Sequence, residues 1–101
     1  MDVVVTPSAI ADLENLHRYI AGESSEDRAD SYIARIQVYL ERLAAFPKRG
    51  TAHDELLDGL RTVGFERRAT IAFVVTDKTV YIQGVFYAGR DWRAQFQPSG
   101  S

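Results

Sequence analysis

The stretch GVFYAGRDWRAQF, residues 84–96, brings Tyr87, Arg90, Asp91, Trp92, Arg93 and Phe96 close together in the chain. Two chemistries use residues of these types. Cutting RNA through its 2′-hydroxyl needs a base, an acid and cations around the phosphate, and a phenol, a carboxylate and guanidiniums are partial candidates. Alternatively, aromatic rings beside arginines make the centre of a protein-binding surface. Arg61 can serve either purpose, touching nucleic acid or a partner's carboxylate, or it can pair with a local acid such as Glu66 or Asp91. Arg67 and Arg68 fall at a turn, where solvation is the ordinary fate of charge. His17 reads as a residue at the core boundary and His53 as a loop residue. Without a histidine spaced to act as base, the cluster reads as a grip.

Two hydrophobic periods position these residues. DVVV (2–5) is a β-branched strand candidate. Thr6 can cap a helix and Pro7 suits its first position, while Ala9, Leu13, Leu16 and Ile20 form one stripe that Gly22 is expected to end. Ser24 and Asp27 have capping-box spacing and open a second helix. Its stripe is Ala29, Tyr32, Ile33, Ile36, Leu40 and Leu43, stopped at Phe46–Pro47. The short link predicts an antiparallel helix hairpin. Residues 48–59 read as a loop with a short helical turn. Beyond Gly59 the period changes to two, and residues 60–66, 69–76 and 80–87 form three strand-like runs joined tightly enough to be an antiparallel meander. The predicted fold class is α+β: an N-terminal strand, an antiparallel helix hairpin packed on a β-meander, and a short helical or irregular C-terminal segment. One domain over residues 1–96 and a mobile tail over 97–101 are expected.

Composition narrows the possible functions. The chain has 101 residues and no cysteine, which excludes a disulfide framework and a thiolate metal site. Its two histidines lack ligand spacing, and no glycine motif cradles a phosphate, so neither a metal nor a cofactor is expected. Residues 1–55 carry a net charge of −4 and residues 56–101 a net charge of +2. That asymmetry suits an acidic partner but falls short of a domain that binds nucleic acid through its charge alone. The first twenty residues carry acids where a signal peptide would be basic, and no apolar run approaches the ~20 residues of a membrane span. A cytoplasmic location, no membrane contact and no sequence-specific DNA binding are the expectations.

Strict alternation assigns the faces of the meander. Leu60, Ile71, Phe73, Val75, Val80, Ile82 and Phe86 are expected to pack on the helices. Arg61, Val63, Phe65, Thr70, Ala72, Val74, Tyr81, Val85 and Tyr87 would then lie on the opposite face, open to solvent and too apolar to remain uncovered.

Four phrases point further: VTPSAIADLENLHRYI, RIQVYLERLAAFPKRG, DGLR and VYIQGVFYAGRDW. Together, over about residues 3–96, they resemble the ParE branch of the RelE/ParE toxin superfamily. The resemblance implies the toxin of a bacterial type II toxin–antitoxin pair. Within this superfamily, RelE-like members cut mRNA on the ribosome, and ParE-like members poison DNA gyrase without covalent chemistry. Matching TIAF (70–73) to the RelE-like phrase R-L-V-Y puts Thr70 where an arginine is needed. Tyr87 takes the place of a frequent histidine, Arg90 is kept, and AHDELLDG is acidic where some ribonucleases are rich in lysine. The resemblance with these departures implies a non-enzymatic gyrase inhibitor, neutralised by a cognate ParD-like antitoxin in a hetero-oligomer. Arg61, Tyr87, Arg90, Asp91, Trp92, Arg93 and Phe96 are then the target-binding residues. Val63, Phe65, Ala72, Val74, Tyr81 and Val85 form the antitoxin-binding face. A ribosome-dependent ribonuclease using Tyr87, Arg61 and Arg90 is the alternative, and an inactive toxin-like binding module the second.

Overall fold

A computed structural model describes residues 1–97. In chain order the elements are β1 (Asp2–Val5), α1 (Pro7–Glu23), α2 (Glu26–Arg42), β2 (Thr51–Ala52), β3 (Leu60–Phe65), β4 (Ala69–Val75), β5 (Thr79–Tyr87) and a 3-10 turn (Arg93–Phe96). This is the predicted α+β arrangement of strand, helix hairpin and meander. Residues 98–101 of the expected tail lie outside the described residues.

Local chemistry sets the helix ends. The Thr6 hydroxyl accepts from the Ala9 amide at 3.3 Å and donates to the Ile82 carbonyl at 2.7 Å, tying the start of α1 to β5. The predicted stop at Gly22 does not hold. Gly22 has no left-handed conformation and α1 runs on to Glu23. Ser25 rather than Ser24 then caps α2, accepting from the Arg28 amide at 3.1 Å.

The five strands lie in the order β1-β5-β4-β3-β2. β1 runs parallel to β5, from Asp2 opposite Thr79 to Val5 opposite Ile82, and the other pairings are antiparallel. The place of β1, open in the sequence, is therefore the free edge of β5. It covers only the first half of that strand. Beyond it, Asp12 of α1 accepts from the Val85 amide at 2.9 Å, so this edge donor is satisfied by a side chain.

The predicted faces need correcting at two strands. In the β4–β5 ladder Ala72 pairs with Gly84 but Phe73 pairs with Ile82, which leaves Gln83 as an extra residue. This bulge reverses the alternation after Ile82. Val85 and Tyr87 therefore join Val80 and Ile82 on the helix side, and Phe86 turns to the outer face. In β3 the register puts Leu60 opposite Val74 and Val63 opposite Ile71, so Leu60 faces outward while Val63 and Phe65 face the helices. Four residues expected on an open face, Val63, Phe65, Val85 and Tyr87, thus belong to the main core. Ala72, Val74 and Tyr81 keep the outer placement. Each fully buried side chain such as Phe73, Ile36 or Leu43 is worth about 1.5–3 kcal/mol, so the phase of a strand outweighs any single surface pair.

The outer face is also less open than expected. Leu60, Ala72 and Phe86 are buried there beneath Leu56, Val74, Trp92 and Phe96. The cover comes from the loop before β3 and from the C-terminal segment.

Candidate interaction surface

The C-terminal cluster begins where β5 ends. Ala88 and Gly89 take left-handed backbone angles, φ 58° and 75°, and turn the chain off the sheet. The Asp91 carboxylate then accepts from the Arg93 amide at 3.1 Å, and the 3-10 turn carries Phe96 back over the outer face. Trp92 is half-buried and its ring lies 4.6 Å from that of His53 and 6.4 Å from that of Phe96. Arg93 stacks 5.0 Å over Trp92 and reaches Glu55 at 3.8 Å. Arg90, Asp91 and Arg93 are exposed. The sheet thus carries an aromatic anchor that presents two guanidiniums and a carboxylate to solvent.

Tyr87 does not share the outer face with Trp92, and of the cluster only Arg90 lines a pocket with it. It points to the helix side, between Tyr19 at 5.5 Å and Tyr32 at 5.9 Å. Arg61 is also placed elsewhere than expected. Its Nε donates to the Arg49 carbonyl at 2.9 Å and its Nη2 to the Lys48 carbonyl at 2.8 Å, so it straps down the loop before β2 instead of pairing with an acid. Arg61 lies opposite Phe73, and Tyr87 lies opposite Ala69. These positions are four steps apart along β4, roughly 13 Å at ~3.3 Å per residue. Thr70, at the place of the RelE-like arginine, lies opposite Phe86 in the β4–β5 ladder. Of the residues a ribonuclease would need, Tyr87 and Arg90 line one small pocket, while Arg61 lies apart from them.

Glu66, offered as a partner for Arg61, is gripped by Arg35, whose Nε and Nη2 donate to its two carboxylate oxygens at 2.8 and 3.0 Å. That hydrogen-bonded guanidinium holds the Glu66 carboxyl below its ordinary range, and the same pairing raises Arg35. His17 bonds Asp30 at 2.7 Å at the edge of the helix pair. His53 lies in the loop between β2 and β3, as expected, but is buried there, and its Nε2 meets the Thr62 hydroxyl at 2.9 Å. It links the loop before β3 to Trp92, a role that no sequence spacing announces. Tyr19 and Arg35 likewise carry no signal in the sequence, where Tyr32 reads only as part of a helix stripe. Among the described residues no three His, Asp or Glu side chains converge as a metal site. Nor is any helix among them long and apolar enough to cross a membrane.

A second apolar surface lies between the helices and β1. Val3, Val5, Ile10, Leu13, Ile33 and Leu40 line an open groove of about 880 Å³, with Glu14, His17 and Arg18 among its polar residues. It adjoins the unpaired edge of β1.

Comparison with known proteins adds to this geometry. None of the curated proteins compared is significantly similar to the chain. Among solved structures, a chain of the chromosomal ParDE toxin–antitoxin system from P. aeruginosa shares the fold, with a TM-score of 0.75 at 22% identity, over 87% of this chain and 96% of that one. The family model described as the ParE toxin of the type II toxin–antitoxin system parDE matches residues 3–92. That span takes in the helix hairpin, the whole meander and the start of the C-terminal cluster, and the chain belongs to the ParE toxin family.

Proposed function

We propose that this ParE-type toxin acts by binding DNA gyrase, without covalent chemistry of its own, and that a ParD-like antitoxin neutralises it. The observation that carries the binding reading is the trio Arg90, Asp91 and Arg93, exposed and mounted on the half-buried Trp92. Fixed aromatics with adjacent arginines suit a protein contact, because little side-chain entropy remains to be lost on docking. Separation of Arg61 from Tyr87 and Arg90, with Thr70 at the place of the RelE-like arginine, argues against acid–base cleavage of RNA. Family membership supports the gyrase target, and the P. aeruginosa ParDE system supports an antitoxin partner.

The antitoxin would use the apolar surface that remains. Val63, Phe65 and Val85 are taken up by the core, so the contact falls to the outer strip at Val74 and Tyr81 and to the groove between β1 and the helices. An amphipathic segment that folds on binding suits such surfaces. The test in cells is induced expression in strains carrying parental or mutant gyrase. Relief of growth arrest by gyrase mutations, with intact mRNA, is the expected result. Fragmented mRNA with no relief would transfer the chain to the ribonuclease class.

A further inference from the structure

We propose that the cleft between the α1–α2 junction and the β3–β4 hairpin is an oxyanion site of the phosphate class, held by Arg28, Arg68 and the Tyr32 hydroxyl. The cleft measures about 240 Å³ and is lined by Ile20, Ser24, Arg28, Ser31, Tyr32, Arg35, Arg68 and Tyr87. It lies just under the ~300 Å³ at which pockets begin to enclose a drug-sized ligand, and suits a small ion or one terminal group.

Three guanidiniums line this cleft, and only one has an acid partner. Arg35 is engaged by Glu66 and also donates from Nη1 to the Ser31 hydroxyl at 2.9 Å. Arg28 and Arg68 make no ion pair among the described residues. With Glu66 counted, two positive charges stay uncompensated, which matches a phosphate carrying −1.5 to −2 better than a single carboxylate. Ser31 keeps its own hydroxyl proton to donate.

Tyr32 gives the independent sign. The residue is 6% exposed, and its hydroxyl has no hydrogen-bond partner among the described residues. Buried hydroxyls are almost always paired, and an orphan at a basic cleft points to an acceptor that the protein itself does not supply. The tyrosine is fixed in place by the rings of Phe65 at 5.6 Å and Tyr87 at 5.9 Å, with the Arg35 guanidinium 5.4 Å from its ring centre. Arg68 is exposed, as Arg35 and Glu66 are, and it leans on the Tyr87 hydroxyl rather than on an acid, so its side chain can turn to admit a phosphate oxygen. The acids Glu26 and Asp27 in the first turn of α2 are not among the walls.

The test is calorimetry and thermal unfolding of the full chain with inorganic phosphate. Adenosine 5′-monophosphate serves as the ester, acetate as the carboxylate, and sodium chloride matches ionic strength. One phosphate should bind per chain and raise Tm where chloride does not. Arg28→Ala with Arg68→Ala, both surface changes, should weaken binding by about tenfold or more. Tyr32→Phe should also weaken it, while its Tm without phosphate equals or exceeds that of the parent, because an unpaired hydroxyl has been removed. Equal binding of the monophosphate would identify ester phosphates as the source, and binding of phosphate alone the free ion. Absence of saturable binding, tighter binding of acetate, or an undiminished response in both variants would overturn the proposal.

Discussion

At Tyr32 the cost of burial shows in a single group. Burial first, then the neighbouring Tyr87 and Glu66, push its phenol up to about 12 from the ordinary 10.0, with Arg35 and Arg68 pulling the other way. Between those values the folded chain holds a proton that the unfolded chain has released. The stability this contributes is complete below pH 10 and is lost as pH rises through about 12. In a phenolate absorbance titration one tyrosine should ionise late, near 12, and Tyr32→Phe should remove that step. All tyrosines titrating together near the ordinary value would contradict the burial. Glu66 has the opposite sign. Its depressed carboxyl contributes stability above the ordinary glutamate range, which is lost as pH falls through the lowered value. Since both partners are substantially exposed, the pair is worth only about 0.2–1 kcal/mol. Arg35→Ala should shift the urea midpoint by that amount at neutral pH and by nothing at strongly acidic pH.

Gln83 shows why the elements were legible in the sequence and their faces were not. Hydrophobic period, the Thr6–Pro7 start and the turn residues specify two helices and three strands without reference to anything distant. A bulge leaves no such mark: VYIQGVFY alternates acceptably in either phase until it is known that Ala72 pairs with Gly84 and Phe73 with Ile82. The same holds for β3, where Leu60 and Phe65 are equally apolar and only the register with β4 decides which meets the helices. Deleting Gln83 should leave Val85 and Tyr87 on the helix side, because Ile82, Gly84 and Val85 then alternate without the extra residue, and the denaturant midpoint should change little. A loss of ~3 kcal/mol or more, the size expected if both side chains turned outward at about 1.5–3 kcal/mol each, would contradict this assignment of the faces. The β3–β4 turn carries Glu66 and Arg67 at φ 50° and 61°, left-handed angles that suit asparagine or glycine. Arg67→Gly should therefore stabilise the hairpin by up to about 1 kcal/mol, read as a higher Tm, while leaving the Arg35–Glu66 pair in place.

Over the whole molecule, the C-terminal cluster both covers the sheet and presents charge, and the two roles separate by residue. Trp92 and Phe96 pack over Leu60, Ala72 and Phe86 together with residues from the loop before β3, an arrangement of segments far apart in sequence that local patterns could not reveal. Trp92→Ala should cost about 1–3 kcal/mol, less than a fully buried aromatic because the ring is only half-covered. Arg90→Ala, at an exposed position, should change stability by no more than about 0.5 kcal/mol while weakening growth arrest. Full toxicity in the Arg90→Ala variant would remove that residue from the target contact. The proposed grip on gyrase is tested by a supercoiling and DNA-cleavage assay with purified gyrase, DNA, ATP and the folded protein. Inhibited supercoiling or persistent cleavage complexes, reversed by the antitoxin and weakened by Arg90→Ala, is the predicted result. Unaffected gyrase together with cut mRNA on programmed ribosomes would contradict it.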